Sequence, residues 1–157
     1  MKSEFTPKHA GSRVRQMGVT LLEIMVVLVV ISIIVAYAYP SYTQFIIRAK
    51  RNAGTSMLLQ IANRQQQFFM NNKQYSGSLA ALGLPADTFM ITDDGSYCAD
   101  ADMDRVYNLS LSNATATTYT LTATPQLRQA AKDMACANLT LTHTGLKGNS
   151  AGGNKCW

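Results

Sequence analysis

Between Val19 and Tyr39 the chain runs for 21 residues with one ionisable side chain, Glu23, among valines, isoleucines and leucines. A helix of this length measures about 30 Å, which matches the hydrocarbon thickness of a bilayer. Tyr37, Tyr39 and Tyr42 lie at its far end, where amphipathic aromatic rings favour the boundary between membrane and water. The segment therefore predicts one membrane-spanning helix.

The charges before this apolar run predict its orientation. Basic residues are frequent there and Glu4 is the only acid; the basic residues are Lys2, Lys8, Arg13 and Arg15. Such a bias keeps the N-terminus in the cytoplasm and exports the rest of the chain. Without residues 1–18 the chain keeps ten basic and eight acidic residues, so its net charge gives no ground for a nucleic-acid function.

All three cysteines follow the apolar run, on the side of the membrane where disulfides persist. A bridge between Cys136 and Cys156 would close a loop of 21 residues, which is worth on the order of 3 kcal/mol. We favour this pairing, which leaves Cys98 free. A bridge between Cys98 and Cys136 is the alternative.

Beyond Pro40 the sequence becomes amphipathic. Residues suited to a buried face recur at steps of three and four: Ile46, Ile47, Ala53, Met57, Leu58, Ile61, Ala62, Gln65 and Phe68. No turn signal separates this pattern from the apolar run, so we expect one helix of about 55 residues with one buried face in its second half. Pro40 predicts a bend or local loosening because it lacks a backbone donor, and Gly54 is a second candidate for one.

The rest of the chain predicts a small sheet. Turn-forming residues between positions 71 and 104 indicate a long connecting loop with short local structure. Alternating segments that start at Tyr107 and Tyr119 predict two half-buried strands, a third is expected within 137–144, and the tail at 148–154 is expected to be a loop. A helix and an antiparallel sheet with one apolar face each can bury those faces together, which predicts an α+β fold.

Two short motifs frame the apolar run, Gly18-Val-Thr-Leu-Leu-Glu23 at its start and Pro40-Ser-Tyr42 at its end. With these motifs the chain resembles the type IV pilin family, and its strands, C-terminal cysteines and final Cys-Trp resemble PilE-like minor pilins. The resemblance implies the type IV pilin fold, a long N-terminal helix packed on a small antiparallel sheet. It also implies cleavage after Gly18 by a prepilin peptidase and N-methylation of Val19, although the family usually has Phe there.

The resemblance further implies a division into a leader (1–18), a transmembrane and polymerisation helix (19–40), an amphipathic half (41–73) and an exported sheet domain (74–157). The subunit would be held in the inner membrane and then join a pilus on the surface of a Gram-negative cell. Expected partners are other pilin subunits, the prepilin peptidase, an inner-membrane assembly platform and membrane lipid. The filament would serve pilus biogenesis, twitching or adhesion, and no cofactor is expected.

Glu23 needs a physical reason to lie in a membrane span, because a carboxylate there costs a few kcal/mol near the centre and less near the interface. In a bundle of such helices it would meet the free amine of Val19 on a neighbouring subunit. That amine exists only after cleavage, so processing would create the partner that favours assembly. We therefore predict Glu23 and Pro40 as assembly residues. The alternative for Glu23 is a tolerated charge at the interface.

A cleavable secretory signal is the main structural rival, because Ala36-Tyr-Ala38 has the small residues of a cleavage site. A glutamate at the entrance of the apolar core and a proline just past the cut argue against it. The sequence also lacks a glycine-rich phosphate loop and a CxxC motif. We predict no enzymatic activity.

Asp100, Asp102 and Asp104 alternate as the first ligands of a calcium loop do. The EF-hand pattern fails, because Arg105 stands where it needs glycine and Leu111 where it needs glutamate. We expect a solvated acidic loop, with a calcium site of another geometry as the alternative.

Some PilE-like proteins resemble ComP DNA-receptor pilins, and DNA capture is the alternative function. Its predicted phosphate contacts are Arg128, Lys132, Lys147 and Lys155. The basic cluster at residues 48–51 could contact anionic lipid or nucleic acid, but we favour a solvated or intersubunit role for it. A pseudopilin of type II secretion is the remaining alternative.

Overall fold

The computed structural model of the protein describes residues 18–157, so most of the predicted leader lies outside the described residues. The described part divides into two units, one that ends at Tyr39 and one that spans Pro40–Trp157. Helix α1 covers Leu21–Asn72, 52 residues, with Pro40 inside it. The prediction of a single long helix is confirmed.

The first unit is the apolar part of α1. Every residue of α1 as far as Pro40 is exposed, and the helix is long and apolar enough to cross a membrane by length and composition. A helix that is apolar on all sides is stable only when lipid or other helices surround it. In the isolated subunit, no other described part of the chain covers the apolar side chains of this helix.

The second unit contains an antiparallel six-stranded sheet in the order β2-β1-β3-β4-β5-β6. Its strands are β1 (Thr88–Ile91), β2 (Tyr97–Cys98), β3 (Tyr107–Ser112), β4 (Thr120–Pro125), β5 (Leu139–Thr142) and β6 (Lys147–Asn149). A short 3-10 helix at Ala80–Leu82 precedes β1, and helix α2, Leu127–Lys132, connects β4 to β5. The α+β architecture is the one the sequence predicts.

The three predicted strands correspond to β3, β4 and β5, whereas the prediction overlooked three others. The expected connecting loop contains β1 and β2, and the expected C-terminal loop overlaps β6. These strands have four, two and three residues, too few to show a clear alternation. They exist because a longer neighbour provides backbone partners: β3 pairs with β1, which in turn pairs with β2, and β5 pairs with β6.

The core lies between the second half of α1 and one face of the sheet. Leu58 and Ile61 of α1 are fully buried, as is Leu109 of β3. In register, Leu109 lies beside Ala123 of β4, which lies beside Leu139 of β5. The alternation of the predicted strands thus supplies one apolar face, and the predicted helical stripe covers it.

Gly54 lies within the continuous helix α1 and faces the Tyr107 ring of β3, rather than marking a break in the helix. A Cβ atom added there would lie 3.0 to 3.2 Å from carbons of the Tyr107 ring. Burial raises the pKa of Tyr107 to about 12, so its hydroxyl stays protonated at neutral pH. The glycine is required because a side chain would occupy the space of the aromatic ring.

Gln65, which the sequence places on the buried face, is fully buried and fully paired. Its Nε2 donates to the Ser76 carbonyl and its Oε1 accepts from the Ser76 N–H, both at 2.9 Å. The side-chain amide therefore makes the two backbone hydrogen bonds that a neighbouring strand would make. These bonds fix the chain where it turns back after α1. A buried amide without such partners would destabilise the core.

A buried ion pair joins α1 to the segment that follows α2. Arg51 donates from Nε to Oδ2 of Asp133 at 3.0 Å and from Nη2 to Oδ1 at 2.5 Å. The side chain of Asp133 is 1% exposed and that of Arg51 is 11% exposed. Hydrogen bonding to Asp133 raises the pKa of Arg51, so the guanidinium stays charged. This bidentate geometry is the strongest form of such a contact.

Gln129 extends the ion pair into a network. Its buried Nε2 lies 3.0 Å from Oδ2 of Asp133, 3.2 Å from the Tyr107 hydroxyl and 3.2 Å from the Ile47 carbonyl. Arg51 also donates from Nη1 to the Lys155 carbonyl at 3.1 Å. Helix α2 and the C-terminal tail are therefore fixed to residues 47–51 of α1.

The Cys136–Cys156 disulfide is present, so the favoured pairing is confirmed and the pairing with Cys98 is excluded. Cys98 is free and half-buried on β2. Burial raises the pKa of its thiol, which lowers its reactivity at neutral pH. The disulfide and the Arg51 contact to Lys155 secure the tail at two neighbouring points.

The contact at Gly54 predicts a stability loss for Gly54→Val. Overpacking against Tyr107 is expected to cost about 1–3 kcal/mol, more than the gain from replacing a helical glycine. Gly77→Val is the matched control, because Gly77 is exposed and has no atom within 4 Å of an added Cβ. The measurement is thermal unfolding of the full chain in detergent, and equal melting of the two variants would contradict the packing role.

Removing the charge of Asp133 is expected to destabilise the second unit. Asp133→Asn leaves the Arg51 guanidinium buried without its counter-charge, a change that costs about 3 kcal/mol. Asp93→Asn is the control, because Asp93 is exposed and lies 3.9 Å from Lys50, and loss of an exposed pair costs about 0.5 kcal/mol at most. Chemical denaturation in detergent measures both, and similar midpoints would show that the ion pair contributes little.

Candidate processing, assembly and phosphate-binding residues

The predicted processing site lies directly before α1. Gly18, Val19 and Thr20 are outside the helix and exposed. No atom lies within 4 Å of a Cβ added at Gly18. The backbone between Gly18 and Val19 is therefore accessible, which is a condition for cleavage at this bond.

Glu23 lies in the first turn of α1, where it is part of a helix cap. Its backbone N–H donates to Oγ1 of Thr20 at 3.2 Å. Thr20 precedes the first helical residue, so its hydroxyl caps the start of α1. A carboxylate in the first turn is also favourable beside the positive end of the helix dipole.

Sequence reasoning missed this cap, although Thr-x-x-Glu before an apolar run is its sequence signal. The cap gives Glu23 a local role that requires no second subunit. A local role and a role in pairing with a neighbouring amine are compatible, because the cap uses the Glu23 backbone and leaves its carboxylate available. Capping needs the Glu23 backbone N–H, whereas pairing with an amine needs the Glu23 carboxylate.

The structure gathers the predicted phosphate contacts around α2 and the C-terminal tail. Arg128 and Lys132 lie one turn apart on the exposed side of α2, away from the buried Gln129 and Asp133. Lys155 is exposed in the tail, and its carbonyl accepts the Arg51 hydrogen bond. These three cations therefore border the same buried network.

Lys147 borders the tail from the sheet. It begins β6, and its Nζ lies 5.3 Å from the centre of the Trp157 ring. Trp157 in turn donates from Nε1 to the Gly148 carbonyl at 2.8 Å. The aromatic ring holds the ammonium group by a cation–π contact while leaving it exposed.

Arg48 belongs with these residues in space, which sequence reasoning missed. It is exposed on α1, three residues before Arg51 and next to Ile47. The sequence separates it from α2 by about 80 positions, and the Gln129 contact to Ile47 brings the two elements together. Lys50, by contrast, lies against Asp93.

The acidic segment forms turns. Asp94 accepts hydrogen bonds from Oγ1 of Thr92 and from the N–H and Oγ of Ser96. The hydrogen bond from Thr92 is the main reason that the pKa of Asp94 is lowered to about 2. Asp102 accepts from the N–H of Asp104 at 2.9 Å.

The side chains of the alternative calcium candidates are not grouped around one point. Among residues 18–157, no three or more His, Cys, Asp or Glu side chains are placed to share a metal ion. Asp100, Asp102 and Asp104 therefore do not form such a group.

Two family models match the chain. The model described as type IV minor pilin ComP, DNA uptake sequence receptor, matches residues 40–140, and the prokaryotic N-terminal methylation motif matches residues 13–39. The type IV major pilin protein PilA of Myxococcus xanthus is 32% identical over 69 residues, which are 44% of this chain and 31% of that protein. The chain thus matches about a third of the length of that relative.

The two family models divide the chain at the same place as the structure. The methylation motif ends at Tyr39, with the first unit, and the ComP model begins at Pro40 and extends into β5. The ComP model alone covers well over half of the 157 residues. Together with the long N-terminal helix and the antiparallel sheet, these matches show that the chain belongs to the type IV pilins of the ComP type.

Proposed function

We propose that this pilin is a minor subunit that is cleaved after Gly18 and enters a filament through the first half of α1. The observation that carries the proposal is an apolar helix that begins directly after an accessible processing motif and is exposed along its whole length. Such a surface needs lipid before assembly and neighbouring helices after it. The subunit would wait in the inner membrane with its N-terminus in the cytoplasm.

Cleavage would change the electrostatics at the start of α1. A new ammonium group at Val19 adds to the positive end of the helix dipole, which disfavours an unpaired amine there. The Glu23 carboxylate of a neighbouring subunit can neutralise it, and the attraction is strong where water is excluded. The prepilin peptidase and an inner-membrane assembly platform are the partners that this sequence of events requires.

Charge pairing and helix capping at Glu23 can be separated by two substitutions. Glu23→Gln keeps a capping residue at this position but removes the charge, whereas Thr20→Val removes the capping hydroxyl and keeps the carboxylate. We expect Glu23→Gln to lower the amount of subunit in sheared filaments about tenfold, equivalent to roughly 1.4 kcal/mol. Thr20→Val should have a much smaller effect.

The measurement is the ratio of subunit in filaments to subunit in membranes, by immunoblot. Mass spectrometry of both variants provides the control, because each must still have a mature chain that begins at Val19. Filament levels of Glu23→Gln equal to those of the unaltered chain would remove charge pairing from the mechanism. Equal losses in the two variants would assign the effect to the cap.

DNA capture is the second candidate function. It is favoured by the description of the matching family as a DNA uptake sequence receptor and by the four exposed cations around α2 and the tail, Arg128, Lys132, Lys147 and Lys155. Phosphate contacts of this kind give binding that weakens as salt rises. A pseudopilin of type II secretion has less support, because the match over residues 40–140 is to a pilin family.

Replacing two of these cations tests DNA capture. The double substitution Arg128→Gln and Lys132→Gln should weaken binding of a short duplex to the detergent-solubilised mature chain. The slope of log affinity against log salt should become shallower by about 2, because each lost phosphate contact removes about 0.9. Lys73→Gln, at an exposed lysine just past α1, is the control. Fluorescence anisotropy measures all three chains, and an unchanged slope in the double variant would exclude these two contacts.

A further inference from the structure

Cationic and apolar side chains are exposed on the elements that the buried network joins. All are exposed, and we name them together the basic–apolar surface: Arg48, Leu127, Arg128, Lys132, Met134 and Lys155. Met134 is 74% exposed and Leu127 is 37% exposed. Large apolar side chains at this exposure, next to cations, distinguish the surface from an ordinary solvated basic patch.

The buried network assembles this surface from three distant parts of the chain. Gln129 of α2 contacts the Ile47 carbonyl at 3.2 Å, and Arg51 contacts both Asp133 and the carbonyl of Lys155. The surface residues are the exposed neighbours of these buried groups. The hydrogen bonds of the network therefore bring the backbone positions of these cations into one region of the fold.

The surface has a net positive charge. Asp133 is buried against Arg51, so it does not offset the exposed cations. Asp93 lies against Lys50. Asp104, an exposed acid, lines a depression together with Arg128, Arg105 and Lys50. The surface itself carries four exposed cations.

The position of the surface along the chain indicates what it meets first. Arg48 follows Tyr39, the last residue of the apolar unit, by nine residues in the sequence. Basic residues this close to a membrane span are attracted to anionic headgroups within about one Debye length, roughly 8 to 10 Å. Lipid phosphate is therefore the nearest abundant anion to a subunit that waits in the membrane.

The apolar members of the surface decide between lipid and nucleic acid. The boundary between headgroups and acyl chains accepts apolar side chains and cations together, as in interfacial helices. The phosphate backbone of a duplex pairs with cations but has no acyl layer into which Met134 and Leu127 could insert. We propose that the basic–apolar surface docks on the anionic headgroups of the membrane that holds the subunit before assembly.

This inference rests on the membrane anchoring in the proposed function, and before assembly it assigns to lipid three cations that DNA capture would also use, Arg128, Lys132 and Lys155. Docking would hold the second unit against the bilayer until the subunit is extracted into a filament. Arg128, Lys132 and Lys155 would be covered by lipid during that time. They would become accessible to other anions only after extraction, so assembly would control their exposure.

Lysine footprinting of the mature full chain in nanodiscs tests the proposal. Nanodiscs of phosphatidylcholine alone are compared with nanodiscs that also contain phosphatidylglycerol, and acetylation of each lysine is followed by mass spectrometry. We expect Lys132 and Lys155 to react several-fold more slowly in the anionic nanodiscs and to recover in high salt. Lys73, just past the other end of α1, is the internal control and should react equally in both.

The footprinting experiment distinguishes a failure of membrane anchoring from a failure of lipid docking. A chain that does not insert into nanodiscs would overturn membrane anchoring together with this proposal. An inserted chain with equal rates at Lys132 and Lys155 in the two lipids would overturn this proposal alone. Protection of these lysines by a short duplex in neutral nanodiscs, without protection by phosphatidylglycerol, would assign the surface to DNA and would also overturn it.

A second variant tests the apolar contribution without touching a charge. Met134→Ser should reduce the protection of Lys132 in anionic nanodiscs at least twofold, because the exposed side chain no longer enters the interface. Met70→Ser is the matched control, since Met70 is 63% exposed on α1. Both methionines are exposed, so neither change should affect folding. Equal protection in the two variants would show that the surface acts by charge alone and would overturn the apolar part of the proposal.

Discussion

The bidentate pair between Arg51 and Asp133 is the contact on which the arrangement of the second unit depends. It takes two charges out of water, which is favourable only when geometry and additional hydrogen bonds compensate for their lost hydration. Gln129 and the Lys155 carbonyl provide those additional bonds. Because the network includes residues from α1, α2 and the tail, its integrity sets where each of these elements lies.

The disulfide and the ion pair act on the same region by different means. Cys136 and Cys156 limit the conformations of the unfolded tail, whereas Arg51 fixes the folded tail against α1. A small sheet that ends in a three-residue edge strand has little core of its own there. The combination explains how an exposed and glycine-rich tail can present Lys155 and Trp157 in defined positions.

The first half of α1 has the opposite character, since it contains no contact that would stabilise it alone. Its apolar residues are all exposed in the single subunit, and its start is secured by the cap between Thr20 and Glu23. The two units of this pilin therefore differ in the chemistry that stabilises them. The first needs lipid or neighbours, and the second has its own core and carries the exposed cations.

The sequence by itself determined the features that depend on local or periodic patterns. These are the long helix, its apolar half, the processing motif, the strands β3, β4 and β5 and the favoured disulfide. The cap at Thr20 was also readable. In each case the controlling residues are close in the chain or repeat with the period of a helix or a strand, so no distant partner is needed to recognise them.

The tertiary structure alone decided the remaining features, because they depend on pairs of residues far apart in the chain. Strands β1, β2 and β6 are too short to be recognised without the strands beside them. Gly54 carries no sign that an aromatic ring lies against it. The Arg51–Asp133 pair joins residues 82 positions apart, and this distance is why the cations of α1, α2 and the tail appear scattered in the sequence but form one surface in the fold.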